Sequence, residues 1–242
     1  MREKRSACKS IVVLWLALFV LAGCNKSKVR ISGQFDNCRN DYFVLYQIFP
    51  GDLDGLEQID TVALLNGHFL YSIKTGQIGV YLMKFSDTVL LPFIADKGEK
   101  LVFSGDARHL PSHCEVQGSE ETALLWQNNR KLDTLYLKIK KLSNEFIKYA
   151  GEHYSDSVIA VLDSMYYAYF NAHKEYLTHF ILSNPDRLAA LLAFYQTLGN
   201  NPLFTLKEDG ELLRKIYPFL SKRYPNSIYV EDIQDKLENL HD

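Results

Sequence analysis

The chain has 242 residues, 47% of them hydrophobic, which argues for one or two packed domains and against a disordered polymer. Its 27 Lys and Arg stand against 29 Asp and Glu, a formal net charge of −2. That balance lacks the clustered basic face of a nucleic-acid binder, so no nucleic-acid partner is expected.

The first ten residues carry Arg2, Lys4, Arg5 and Lys9 against Glu3 alone, and an unbroken apolar run of 12 follows at residues 11–22. A basic segment, an apolar segment of about 7–15 residues and a small-residue junction are the parts of a secretory signal. The run is short of the roughly 20 residues that a membrane-spanning helix needs. Its junction, Leu21-Ala22-Gly23-Cys24, resembles the lipobox of bacterial lipoproteins. The resemblance implies cleavage between Gly23 and Cys24, a lipid on the Cys24 thiol, and a protein held to the membrane by that lipid. Several acyl chains make such an anchor stable, since each buried methylene contributes about 0.8 kcal/mol. The expected division is a signal at 1–23, a lipidated tether at 24–28, a β-sandwich domain at 29–117 and a helical domain at 118–242. Without the signal, 23 basic and 28 acidic residues remain, a net charge of −5.

Residues 29–35 alternate apolar and polar, as a half-buried strand should. Residues 42–48 are rich in aromatic and β-branched types, which suit a pleated surface. Residues 58–65 and 68–73 flank Asn66-Gly67, the strongest short-range hairpin signal, because a type I′ turn needs positive φ at both central positions. Residues 79–85, 88–95 and 100–104 complete about seven short strands, with Asp96-Lys97-Gly98 turning between the last two. Strands at this spacing suggest an antiparallel sandwich or open barrel.

From about Ser119 the period changes. Leu132, Leu135, Ile139, Leu142, Phe146 and Tyr149 form one stripe on a long helix, with Gly151 as its stop. Val158, Leu162, Met165, Tyr169, Tyr176 and Phe180 form another, opened by Ser155 or Asp156. A short helix is expected over 187–198, a fourth over 208–223 with a kink at Pro218, and a fifth from Pro225-Asn226-Ser227 to about Leu240. The fold class is therefore α+β, about seven strands followed by about five helices.

Taken together, Ile31-Ser32-Gly33-Gln34-Phe35, Ile59-Asp60-Thr61-Val62, Asn66-Gly67-His68-Phe69 and residues 91–99 resemble a β-sandwich domain of unknown function. That domain stands at the front of thiol–disulfide interchange lipoproteins of the Bacteroidetes type. Residues 180–185 and Tyr224-Pro225-Asn226-Ser227 are similar to the helical linker of those proteins. In such proteins a thioredoxin-like domain with a Cys-x-x-Cys pair follows, and this sequence contains no such pair. A dithiol centre needs two neighbouring sulfurs, so the resemblance carries no catalytic residue to any position here, and no enzyme activity or cofactor is expected.

With Cys8 in the signal and Cys24 lipidated, Cys38 and Cys114 remain, either as a disulfide or as two free thiols. His109, His113 and Cys114 are the one local cluster of soft-metal ligands, weak because zinc wants four ligands and Pro111 opposes the helix that would align the histidines. Asp52 and Asp54 match a calcium loop only in part, and a hairpin turn explains them better. Tyr166, Tyr167, Tyr169, Phe170 and Tyr176 form an aromatic band read as core, and His173 and His179 read as partly exposed. The leading expectation is a non-catalytic binding or interaction module of the cell envelope, on the periplasmic face of the outer membrane, whose partner is an envelope protein or a small ligand. The alternative is an accessory or truncated member of a thioredoxin-like thiol–disulfide oxidoreductase system whose catalytic domain is absent from this chain.

Overall fold

The computed structural model describes residues 27–50, 55–149 and 156–239. The signal segment, the lipid-bearing Cys24, the two aspartates at 52 and 54 and the stop at Gly151 lie outside them.

The chain is α+β, with the strands first. One four-stranded sheet has the order β4(His68–Lys74), β1(Lys28–Asp36), β7(Lys100–Asp106), β8(Cys114–Gln117). The other has the order β3(Leu56–Ala63), β2(Tyr42–Ile48), β5(Gly79–Lys84), β6(Leu90–Ala95). Seven strands fall where the alternation places them. The eighth, β8, is four residues long and escapes a pattern that needs more positions to be seen. One pairing also departs from the antiparallel expectation. β1 and β7 run parallel, Arg30 opposite Lys100, because the whole second sheet is built between them as a crossover.

Asn66 (φ 51°) and Gly67 (φ 79°) adopt the type I′ turn, with Leu65 and His68 exchanging both backbone hydrogen bonds at 2.9 and 3.0 Å. The hairpin does not continue as a ladder, however. Beyond that bridge β3 joins one sheet and β4 the other, so the turn is a corner of the sandwich. Between the sheets lies an aromatic core in which Phe35, Phe43, Phe69, Phe85, Phe93 and Phe103 meet at centroid distances of 5.1–6.3 Å. Offset and edge-on rings at such distances contribute about 0.5–1.5 kcal/mol each beyond their buried area.

The helices are α1(Glu120–Tyr149), α2(Asp156–Ser183), α3(Leu188–Phe194), α4(Leu206–Arg223) and α5(Ile228–Glu238), the five expected. The stretch expected as a helix over 187–198 is helical only to Phe194. Gly199, in the left-handed region at φ 61°, then turns a small ribbon, β9(Thr197–Leu198) with β10(Asn201–Pro202). Pro218 is accommodated inside α4.

The helices cover the second sheet, which is why β5 is buried at every position from Gly79 to Met83. The Tyr229 hydroxyl of α5 reaches in to accept from the Val80 N–H (2.9 Å) and to donate to the Ile48 carbonyl (2.5 Å). α1 seals the free edge of β6. Ser119 and Thr122 donate to the Ile94 carbonyl (2.9 and 2.7 Å), Thr122 accepts from the Ile94 N–H (3.0 Å), and the Trp126 indole donates to the Pro92 carbonyl (2.6 Å). An edge whose polar groups are already engaged offers no template for a foreign strand.

These contacts also set direction. The Lys28 carbonyl accepts from Gly98 and the Arg30 N–H donates to Glu99, so β1 starts at the β6–β7 turn, beside the start of α1. From there α1 follows β6 backwards, through Pro92 toward Leu90, and leaves the sandwich at the end opposite residue 28. Its outer half and the first half of α2 form an arm, residues 136–148 and 157–172, in which no residue is buried.

Candidate functional site

Where α1 leaves the sandwich, two adjoining clefts open between it and the loop from β7 to β8. The first, about 170 Å³, has an apolar wall of Leu90, Leu91, Pro92, Pro111, Trp126 and Leu132, with Asn129, Arg130 and Asp133 at its mouth. The second, about 620 Å³, is lined by Ser104, Gly105, His113, Cys114 and Glu115. Ser112 and Arg130 belong to both. Local sequence explains the shape. Gly105 lets the His113 carbonyl approach its backbone, where a Cβ would collide, and Gly118, at φ +86°, turns the chain from β8 into α1 against the Lys100 carbonyl.

Arg130 is the charged group shared by the two clefts, and among the described residues it has no ion-pair partner. The arginine of the β7–β8 loop differs. Arg108 is held by Asp106, whose carboxyl it keeps well below the usual carboxylate range. The Trp126 ring stands 6.0 Å from Phe103, and its N–H is committed to Pro92, so it is a fixed wall rather than a movable lid.

Of the cluster singled out in the sequence, His113 and Cys114 border the second cleft, whereas His109 lines neither. Pro111 does not keep the histidines apart. A 3₁₀ turn at Ala107–His109 and the His113 N–H donating to the His109 carbonyl bring the two rings to 5.0 Å, a job expected to need a helix. Cys114 borders the cleft but is almost wholly covered. It is buried in the core, its Sγ directed to the Glu115 carbonyl, and burial pushes its thiol up to about 12. Among the described residues no three His, Cys, Asp or Glu side chains gather to hold a metal ion.

Cys38 and Cys114 are free thiols. The Cys38 Cβ lies 3.3 Å from where a Cβ on Gly67 would stand, on the β4 side of β1, whereas Cys114 is on β8 at the far edge. Three strand spacings of about 4.8 Å separate those positions, and a disulfide needs Cα atoms within about 7 Å.

Other residues change standing. His173 is buried, not partly exposed. It is 7% exposed and pairs with the Gln196 side chain at 3.3 Å, and burial lowers its pKa. His179 is exposed. The aromatic band is core in part: Tyr166, Tyr169, Phe170 and Tyr176 are half-buried and packed against the core, whereas Tyr167 is exposed. The residue that sequence reasoning missed is Glu121, only 5% exposed. Its carboxylate accepts from the Ala189 N–H (2.9 Å) and the Tyr224 hydroxyl (2.8 Å), with Arg187 nearby, and so ties α1, α3 and the end of α4 together. Burial raises its pKa, partly offset by those donors. All of its partners lie more than 60 positions away in sequence, so no local signal announces it.

Among the described residues no helix is long and apolar enough to cross a membrane. Residues 29–125 match the model of a domain of unknown function (DUF4369), a segment that takes in all eight strands of the two sheets and the start of α1. No curated protein matches the chain.

Proposed function

We propose that this chain is a lipid-anchored binding module of the bacterial cell envelope, facing the periplasm from the outer membrane, with no catalytic step of its own. The observation that carries the binding role is the pair of clefts around Arg130. An unpaired guanidinium stands beside a rigid apolar wall, which is the chemistry that holds a ligand with an apolar body and an anionic end. A non-catalytic role is supported by the thiols. Cys114 is too buried to supply a thiolate, and among the described residues Cys38 has no second sulfur beside it. The anchor rests on the lipobox resemblance at Cys24. With the tether at residue 28 and the clefts at the opposite end, such an anchor would present the clefts away from the membrane.

Trp15 lies in the signal, so Trp126 is the only tryptophan from residue 25 onward, and it reports on the cleft. Titrating that chain with decanoate should change its fluorescence saturably, decylamine should not, and Arg130→Gln should weaken the decanoate response by roughly ten-fold. No response to decanoate, or one indifferent to Arg130, would overturn the cleft as the binding site. Palmitate labelling of cells expressing the whole chain and its Cys24→Ala variant tests the anchor separately. Label that survives the substitution would remove it.

A further inference from the structure

The arm has an outer surface that its own hairpin leaves uncovered. Leu137 and Tyr167 are each 62% exposed, Ile147 70% and Val161 58%, in a stretch with no buried residue. A two-helix hairpin with one half-buried seam is marginal by itself, and large apolar groups at such density mark a contact surface.

Charge identifies the occupant. The outer half of α1 carries Lys138, Lys140, Lys141 and Lys148 against Glu145, whereas residues 157–172 of α2 carry Asp163 and no lysine or arginine. Among the described residues no ion pair joins the two outer halves through Lys138, Lys140, Lys141 or Asp163. Lys138 lies over the Tyr169 ring at 5.1 Å, and Lys140, Lys141 and Asp163 have no ion pair among the described residues. A basic helix beside an acidic one is self-complementary under a twofold axis, because α1 of one copy then faces α2 of the other.

The levels agree. Tyr176 bonded to Asn128 and Lys138 over Tyr169 show that each step outward along α1 matches one step back along α2. Lys141 is therefore within a turn of Asp163 in height, and Ile147 is level with Ile159. We propose that the arm is a dimerisation surface whose partner is a second copy of this chain. The two hairpins close into a four-helix bundle with the twofold axis along the arms, the Lys140 and Lys141 pair of each copy against Asp163 of the other. Because the outer part of α1 extends only about 20 Å, the interface is at the small end for specific complexes, and association is expected in the micromolar range.

Sedimentation equilibrium of residues 25–242, from about 5 to 300 µM, reads this directly. A monomer–dimer equilibrium that weakens with salt is expected. Ile147→Glu should abolish it with circular dichroism unchanged, since that side chain is exposed. The double variant K140E/K141E should weaken it by roughly ten-fold, and adding Asp163→Lys should recover most of the loss. A monomer at the highest concentration overturns the proposal, as does a dimer indifferent to these substitutions. Co-sedimentation of a monomeric chain with phosphatidylglycerol vesicles would assign the same surface to a membrane instead. Neither result depends on the cleft or on the lipid.

Discussion

The sandwich and the arm are built from equally clear periodicities and come out differently. In the sandwich the period-2 positions Val29, Ile31, Leu101 and Phe103 are buried completely. In the arm the stripe positions Ile139, Leu142, Val158 and Leu162 are only half-buried. A sheet face has another sheet and then helices laid over it, whereas each arm helix has a single partner, which leaves most of its circumference wet. A period shows which residues share a face, and only the number of layers stacked on that face decides how deeply they are buried.

Truncation at the two places should separate them most. Phe103→Ala, which removes a ring packed on Phe93, Phe69 and Trp126, should cost about 3–5 kcal/mol in urea unfolding. Ile147→Ala in the arm should fall within about 0.5 kcal/mol of the parent. Similar losses at both sites would break the contrast.

Between those extremes lie the polar groups at the junction. Glu121→Ala leaves the Ala189 N–H and the Tyr224 hydroxyl unpaired in the interior, and should cost about 2–4 kcal/mol by the same measurement. A cost no larger than that of a surface substitution would mean that Glu121 is not the tie it resembles.

The smallest effect concerns pH at the base of the arm. Burial holds His173 below its ordinary pKa, so the folded state binds its proton less well than the unfolded state does. Its contribution to stability is then complete above about pH 6.5, the unfolded value, and is lost as pH falls toward the lower folded value. Stability measured at pH 7.5 and 5.5 should drop on acidification, and the drop should shrink in His173→Asn. An equal drop in both proteins would exclude His173 as its source.

Much of the fold was legible because its signals are local. Asn66-Gly67 specifies its turn through backbone conformation alone, and residues 42–48 delimit β2 to the residue. The topology was less so. That β3 and β4 part company after their turn, and that β1 lies parallel to β7, depends on which faces find each other across the whole domain. The candidate site was half legible. His109, His113 and Cys114 stood out by type, and the last two do border a cleft. Its defining members, Trp126 and Arg130, come from a helix whose placement along β6 no spacing encodes. Cys114 looked like a ligand because residue type says nothing about how deeply a sulfur is buried.

The parallel pairing has a consequence for how the chain acquires its shape. β1 can meet β4 once about 45 residues beyond its own start have appeared, but its other neighbour, β7, begins 70 positions after the residue it pairs with. A chain delivered from its amino terminus must therefore hold one side of β1 open through the synthesis or passage of five more strands. Contacts so distant in sequence slow folding and prolong exposure of sticky strands. This protein's hazard is thus greatest before β7 arrives, and a holding chaperone would matter most in that interval.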